Sequence, residues 1–113
     1  MAGIVVTVDC SKISNWASFH DAFAEAFGFP SFYGRNMDAW IDCMSALDSP
    51  RDGLTSINCN PGEVVTLVLE NVNVLIANER QIYDALIECA AFVNLRRIGL
   101  GLSAVVAFAF DAH

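Results

Sequence analysis

Val64-Val65-Thr66-Leu67-Val68-Leu69-Glu70 is the stretch whose character selects among the possible architectures. Its near-continuous apolar, β-branched run predicts a strand buried on both faces, as in a parallel sheet. Two other runs can pair with it: Ile4-Val5-Val6-Thr7-Val8, which ends at Asp9, and Ala104-Val105-Val106-Ala107-Phe108-Ala109-Phe110.

Between these runs the apolar residues recur at helical spacing. Trp16, Phe19, Phe23, Ala26 and Phe27 form one stripe, with Ser14 or Asn15 as its cap and Gly28 and Pro30 as its stop. Met37, Trp40, Ile41 and Met44 follow i, i+3, i+4, i+7 behind an Asn36 cap and define the buried face of a second helix. Ile82, Leu86, Cys89 and Val93 give a third, with Asn78 and Gln81 as a capping signal and Asp84 and Glu88 on its other side. Residues 47–62 are turn-rich and predict a loop, with a short turn of structure near Leu54. Residues 95–103, interrupted by Gly99 and Gly101, fit neither period.

The order is strand, helix, helix, strand, helix, strand. Helical crossovers between strands favour parallel pairing with right-handed connections. The expected fold is α/β, a small three-stranded parallel sheet flanked by three or four helices, in a single domain over residues 1–113.

The apolar content of 55% and mean hydropathy of +0.45 exclude a disordered chain. Six basic residues against thirteen acidic ones give a net charge of −7, which disfavours binding to a phosphate backbone and suits a cationic partner. Cys10, Cys43, Cys59 and Cys89 show no C-x-x-C pair and no zinc-like spacing with His20 or His113. The N-terminal residues lack a basic, signal-like segment, and no apolar run approaches the ~20 residues of a spanning helix. The expectation is a cytoplasmic protein with reduced thiols.

No nucleophile elbow, P-loop or dinucleotide fingerprint is present. Asp38 and Asp42 could ligate a divalent cation, but a pair of carboxylates without a third ligand makes a weak site. No cofactor is expected. A binding surface accounts better for the segment from Phe29 to Met44. Asp38 and Asp42 fall one turn apart on a strip away from the apolar face, and the rigid aromatic pair Phe32-Tyr33 precedes them. Carboxylates on a helix can stand in for substrate phosphates against arginine and lysine side chains.

Through Phe29-Pro30-Ser31-Phe32-Tyr33-Gly34-Arg35-Asn36-Met37-Asp38-Ala39-Trp40-Ile41-Asp42-Cys43 the sequence resembles the barstar family of intracellular ribonuclease inhibitors. The likeness extends, more weakly, through Leu67-Val68-Leu69-Glu70, the helix with Glu88 and the last strand. It implies a protein, monomeric until bound, that plugs the active site of a cognate ribonuclease or toxin nuclease domain. By position it implies Asp42 as the central carboxylate and Asp38 as its acidic neighbour. Phe32 would be the stacking aromatic, Tyr33, Gly34, Arg35 and Asn36 the contacting loop, and Ile41 and Glu88 further contacts. Three positions depart from the pattern: Phe32 replaces a tyrosine, Arg35 an acidic residue and Ile41 an interfacial tryptophan. The barnase–barstar pair is itself a general example of charge-steered binding, so that expectation comes with the resemblance. The alternative is a regulatory or scaffold module of the same fold with a non-nuclease partner.

Overall fold

The computed structural model describes residues 3–112; His113, weighed above as a zinc ligand, lies outside them. In chain order the elements are β1 (Ile4–Asp9), α1 (Trp16–Phe27), α2 (Met37–Ser45), β2 (Val65–Glu70), α3 (Val72–Asn78), α4 (Arg80–Gly99) and β3 (Val106–Asp111). Short 3-10 turns occupy Cys10–Lys12 and Pro50–Asp52. The strands form one parallel sheet in the order β1-β2-β3, with Val6, Leu67 and Phe108 in register across it. The expected three-stranded α/β architecture is the one found.

Burial alternates along the strands. Val6, Val8, Val65, Leu67, Leu69 and Val106 are buried on one face, while on the other Val5 is 63% exposed and Thr66 and Val68 are half-buried. The expectation that β2 is buried on both faces is therefore corrected: one face is sealed and the other only partly covered. An uninterrupted apolar run records strand propensity as well as burial, so it overstated coverage.

The core against the sealed face is strongly aromatic. Phe19, Phe23 and Phe27 of α1 and Trp40 and Met44 of α2 have no exposed surface. Burying each such side chain contributes about 1.5–3 kcal/mol. Phe23 stacks on Phe27 and meets the edge of Trp40, which couples α1 to α2. Trp16, expected in the same stripe, is the first residue of α1 and is 40% exposed. On α2, Cys43 is buried while Met37 and Ile41 are only half-buried, so the core face is rotated towards Trp40, Cys43 and Met44.

Two helix boundaries differ from the sequence reading. Asn78 does not cap the long helix: it ends α3, a short helix not anticipated from residues 71–78. Glu79 precedes α4 without any side-chain cap. The ambiguous segment is helical as far as Gly99, and the last strand starts at Val106 instead of Ala104. Asp9 ties the sheet to α3, its carboxylate accepting from Asn71 at 2.9 Å and from Ser11 at 2.7 and 3.0 Å.

The polar centre of the fold is Arg97, only 4% exposed. Its guanidinium makes a two-pronged bond to Asp48 (3.0 and 2.7 Å) and donates to the carbonyls of Ser45 and Ser103 at 2.8 and 2.9 Å. One side chain thus joins the ends of α2 and α4, the start of the long loop and the approach to β3.

Removing Arg97 strands the Asp48 carboxylate. Arg97→Ala is expected to lower unfolding free energy by about 3–5 kcal/mol in urea melts. Arg97→Lys should recover little of it, because a point charge cannot reproduce the planar fork. Trp40 carries a buried indole N–H without a hydrogen-bond partner among the described residues. Trp40→Phe should cost under about 2 kcal/mol, against roughly 3–5 for Trp40→Ala, measured the same way. The bonds from Asn71 and then Ser11 hold the Asp9 carboxyl below its ordinary value of 3.8. A depressed carboxyl stabilises the fold above that value and loses its contribution as pH falls through it and below. Asp9→Asn should therefore flatten this part of the acid-unfolding profile.

Candidate functional site

The segment between α1 and α2 is shaped by its turns. Gly28 ends α1 in the left-handed region at φ +67°, and its N–H donates to the carbonyl of Ala24. A Cβ there would lie 2.3 Å from Ser56 Oγ, so both the backbone and the space require glycine. The Tyr33 N–H donates to the Pro30 carbonyl at 2.9 Å, closing a tight turn that projects Phe32. Arg35 then takes φ 55°, unusual for a residue other than glycine. Asn36 Oδ1 accepts from the Ala39 N–H at 2.8 Å and starts α2, as its sequence position predicts.

The predicted site residues are sorted unequally. Phe32 is 75% exposed, the most of any large apolar side chain in the described residues. Gly34 and Asn36 are exposed beside it. Tyr33 is half-buried and turns inward: its hydroxyl lies 2.6 Å from His20 Nδ1, and its ring packs on Phe29. Burial raises the Tyr33 phenol, while burial, and then the charge of Arg35, hold His20 below its ordinary value. Arg35 folds back on α1, pairing with Asp21 at 2.7 Å and donating to the Ala17 carbonyl at 3.1 Å.

On α2, Asp38 and Asp42 are both exposed, one turn apart. Asp38 forms no hydrogen bond or ion pair among the described residues, and it sits in the first turn, where the helix dipole favours it. Asp42 has only a loose ion pair to Arg96, at 3.6 Å. Ile41 is half-buried against the core, with limited surface for contact. Glu88 is exposed on α4, the helix packed beside α2. A shallow pocket of about 210 Å³ draws several of these together: Phe32, Tyr33 and Gly34 line it with Asp42 and Cys43, and Leu54 closes one side. Burial, then the nearby Asp42 charge, push the Cys43 thiol up to about 11, so it is a neutral wall and not a nucleophile.

Sequence reasoning overlooked the α1 and α4 residues that support this surface. His20 and Asp21 hold Tyr33 and Arg35 from positions 13 and 14 residues away. Arg96 donates to Ser45 Oγ at 2.8 Å and lies over the Phe92 ring, so it bridges α4 to the acidic helix. Phe92, Leu95 and Ile98 are exposed, so the last turns of α4 carry apolar residues on their outer side as well as their inner one, which blurs the period there. Only the pairing of Asp38 with Asp42 had a direct signal, their spacing.

Chemically the site presents negative charge beside an aromatic ring on a rigid scaffold. No group of three His, Cys, Asp or Glu side chains among the described residues is placed to hold a metal ion. No helix there is long and apolar enough to cross a membrane. A search of curated proteins gives no match. The family model described as Barstar (barnase inhibitor) matches residues 4–98. That match spans the sheet's first two strands, α1 to α3, α4 as far as Ile98 and the acidic site, and with it the chain belongs to the Barstar family.

Proposed function

We propose that this protein is an inhibitor or immunity protein that occludes the active site of a cognate ribonuclease, a secreted enzyme or a toxin domain. In this reading it acts in the cytoplasm as a single-domain monomer until it meets the enzyme. The observation that carries the proposal is the presentation of Asp38 and Asp42 on α2, with exposed Phe32 and Asp42 lining one pocket. Among the described residues Asp38 has no ionic partner and Asp42 only a loose one, Arg96 at 3.6 Å, so both can turn to cationic side chains that would hold substrate phosphates. Phe32 supplies rigid apolar area next to them, the composition of an interface hot spot. Gly34 and Asn36 extend the contact on the loop and Glu88 on α4, with Ile41 contributing at the edge. Tyr33 and Arg35 belong to the contacting loop, each with much of its polar group already engaged by α1.

The net charge of −7 supports a basic partner and an encounter steered by long-range attraction. A one-to-one complex burying on the order of 1,600 Å² in total is expected.

Titration of the purified chain into RNA-cleavage assays with basic ribonucleases and ribonuclease toxin domains tests the reading. Stoichiometric inhibition of at least one is expected, with association slowing as salt rises. Asp42→Ala should weaken inhibition by at least roughly 30-fold and reduce the salt dependence. Inhibition indifferent to Asp42→Ala would remove the proposed plug. Failure to inhibit any of them would favour the scaffold module with a non-nuclease partner.

A further inference from the structure

Two neighbouring residues of α1 grip the recognition loop at alternate positions. His20 Nδ1 meets the Tyr33 hydroxyl at 2.6 Å, and Asp21 meets the Arg35 guanidinium at 2.7 Å. A third bond runs from Arg35 to the Ala17 carbonyl, one helical turn before Asp21. The rings reinforce the polar contacts: Trp16 stacks on His20, His20 meets Tyr33, and Tyr33 packs on Phe29. Gly34 between these two positions, and Phe32 and Asn36 on either side of them, are exposed.

We infer that His20 and Asp21 are positioning residues: they latch Tyr33 and Arg35 so that the loop is preset for its partner. The inference rests on the inhibitor reading for its purpose, but the latch itself belongs to the free chain. It assigns Arg35 a different principal role from a rim contact. A left-handed backbone at an arginine is strained and persists only where its surroundings fix it. The bonds to Asp21 and Ala17 are the fixing contacts here. Because Arg35 and Asp21 are both well exposed, their bridge adds little to global stability. What it limits is the number of loop conformations. A loop ordered in advance loses less entropy on binding. Presetting also makes the projected Phe32 a rigid feature, able to reject an enzyme whose cleft does not accommodate it.

Amide hydrogen exchange in the free chain is the deciding measurement. Tyr33→Phe removes the hydroxyl and keeps the ring, and Asp21→Ala removes the charged partner of Arg35, leaving it only the Ala17 carbonyl, without touching the loop. Each should speed exchange at the Tyr33 amide, which donates to the Pro30 carbonyl, by about fivefold or more, with the sheet unchanged. Against a ribonuclease inhibited in the titration above, Asp21→Ala should weaken binding roughly 5–10-fold without altering its salt dependence. The reversed pair Asp21→Arg with Arg35→Asp should recover part of that loss, since a carboxylate at position 35 cannot donate to the Ala17 carbonyl. Unchanged loop exchange in both single variants overturns the latch. So does a pattern in which Arg35→Ala weakens binding and Asp21→Ala does not, since Arg35 would then act by touching the partner. If no ribonuclease is inhibited, the functional reading fails and exchange alone judges the latch.

Discussion

The buried guanidinium of Arg97 is the contact through which the helical layer, the long loop and the last strand are held in one arrangement. Asp48 matches its charge with a two-pronged bond, and the carbonyls of Ser45 and Ser103 take further donors. A charge withdrawn from water in this way is tolerated only because its partners are all in place. Those partners come from the end of α2, the loop after it and the segment before β3. The acidic helix therefore has a fixed orientation on α4, which lets Asp38 and Asp42 face outward on a rigid support. The neighbouring Arg96 uses the same turn of α4 to reach Ser45 and Asp42 from the surface.

A second, apolar linkage carries order from the core to the recognition loop. Phe19, Phe23, Phe27 and Trp40 pack in the interior, and Phe27 stacks on Phe29 at the start of the loop. Phe29 and His20 then hold Tyr33 from two sides. Long rigid side chains bring large area at little rotamer cost, so a continuous run of rings stiffens a loop that lacks backbone ladder bonds. The aromatic segment thus divides its labour: Phe29 and Tyr33 anchor, and Phe32 is presented.

Much of the fold was legible because its elements obey local rules. Strand β1, the Asn15 and Asn36 caps and the buried Phe19, Phe23 and Phe27 of α1 appear where pattern and capping chemistry place them. Three features were not legible, each for a physical reason. Helix α3 is only 7 residues long and starts from a left-handed Asn71 with no side-chain cap, so neither period nor cap announces it. The end of α4 reads poorly because a buried arginine sits among exposed leucine and isoleucine, the reverse of the usual pattern. Full burial of β2 was overestimated because strand propensity and burial use the same residues.

The sequence by itself determined the class of fold, the acidic surplus and the helical spacing that places Asp38 and Asp42 one turn apart. These follow from the fixed repeats of strands and helices, which act over a few residues. Tertiary structure decided which side chains of the recognition segment face out. Arg35 meets Asp21 across 14 residues, Tyr33 meets His20 across 13, and Arg97 meets Asp48 across 49. No local period encodes such pairings. They exist because packing of the sheet and helices brings distant side chains within bonding distance, and at the buried Arg97 it also removes the water that would otherwise satisfy the charges.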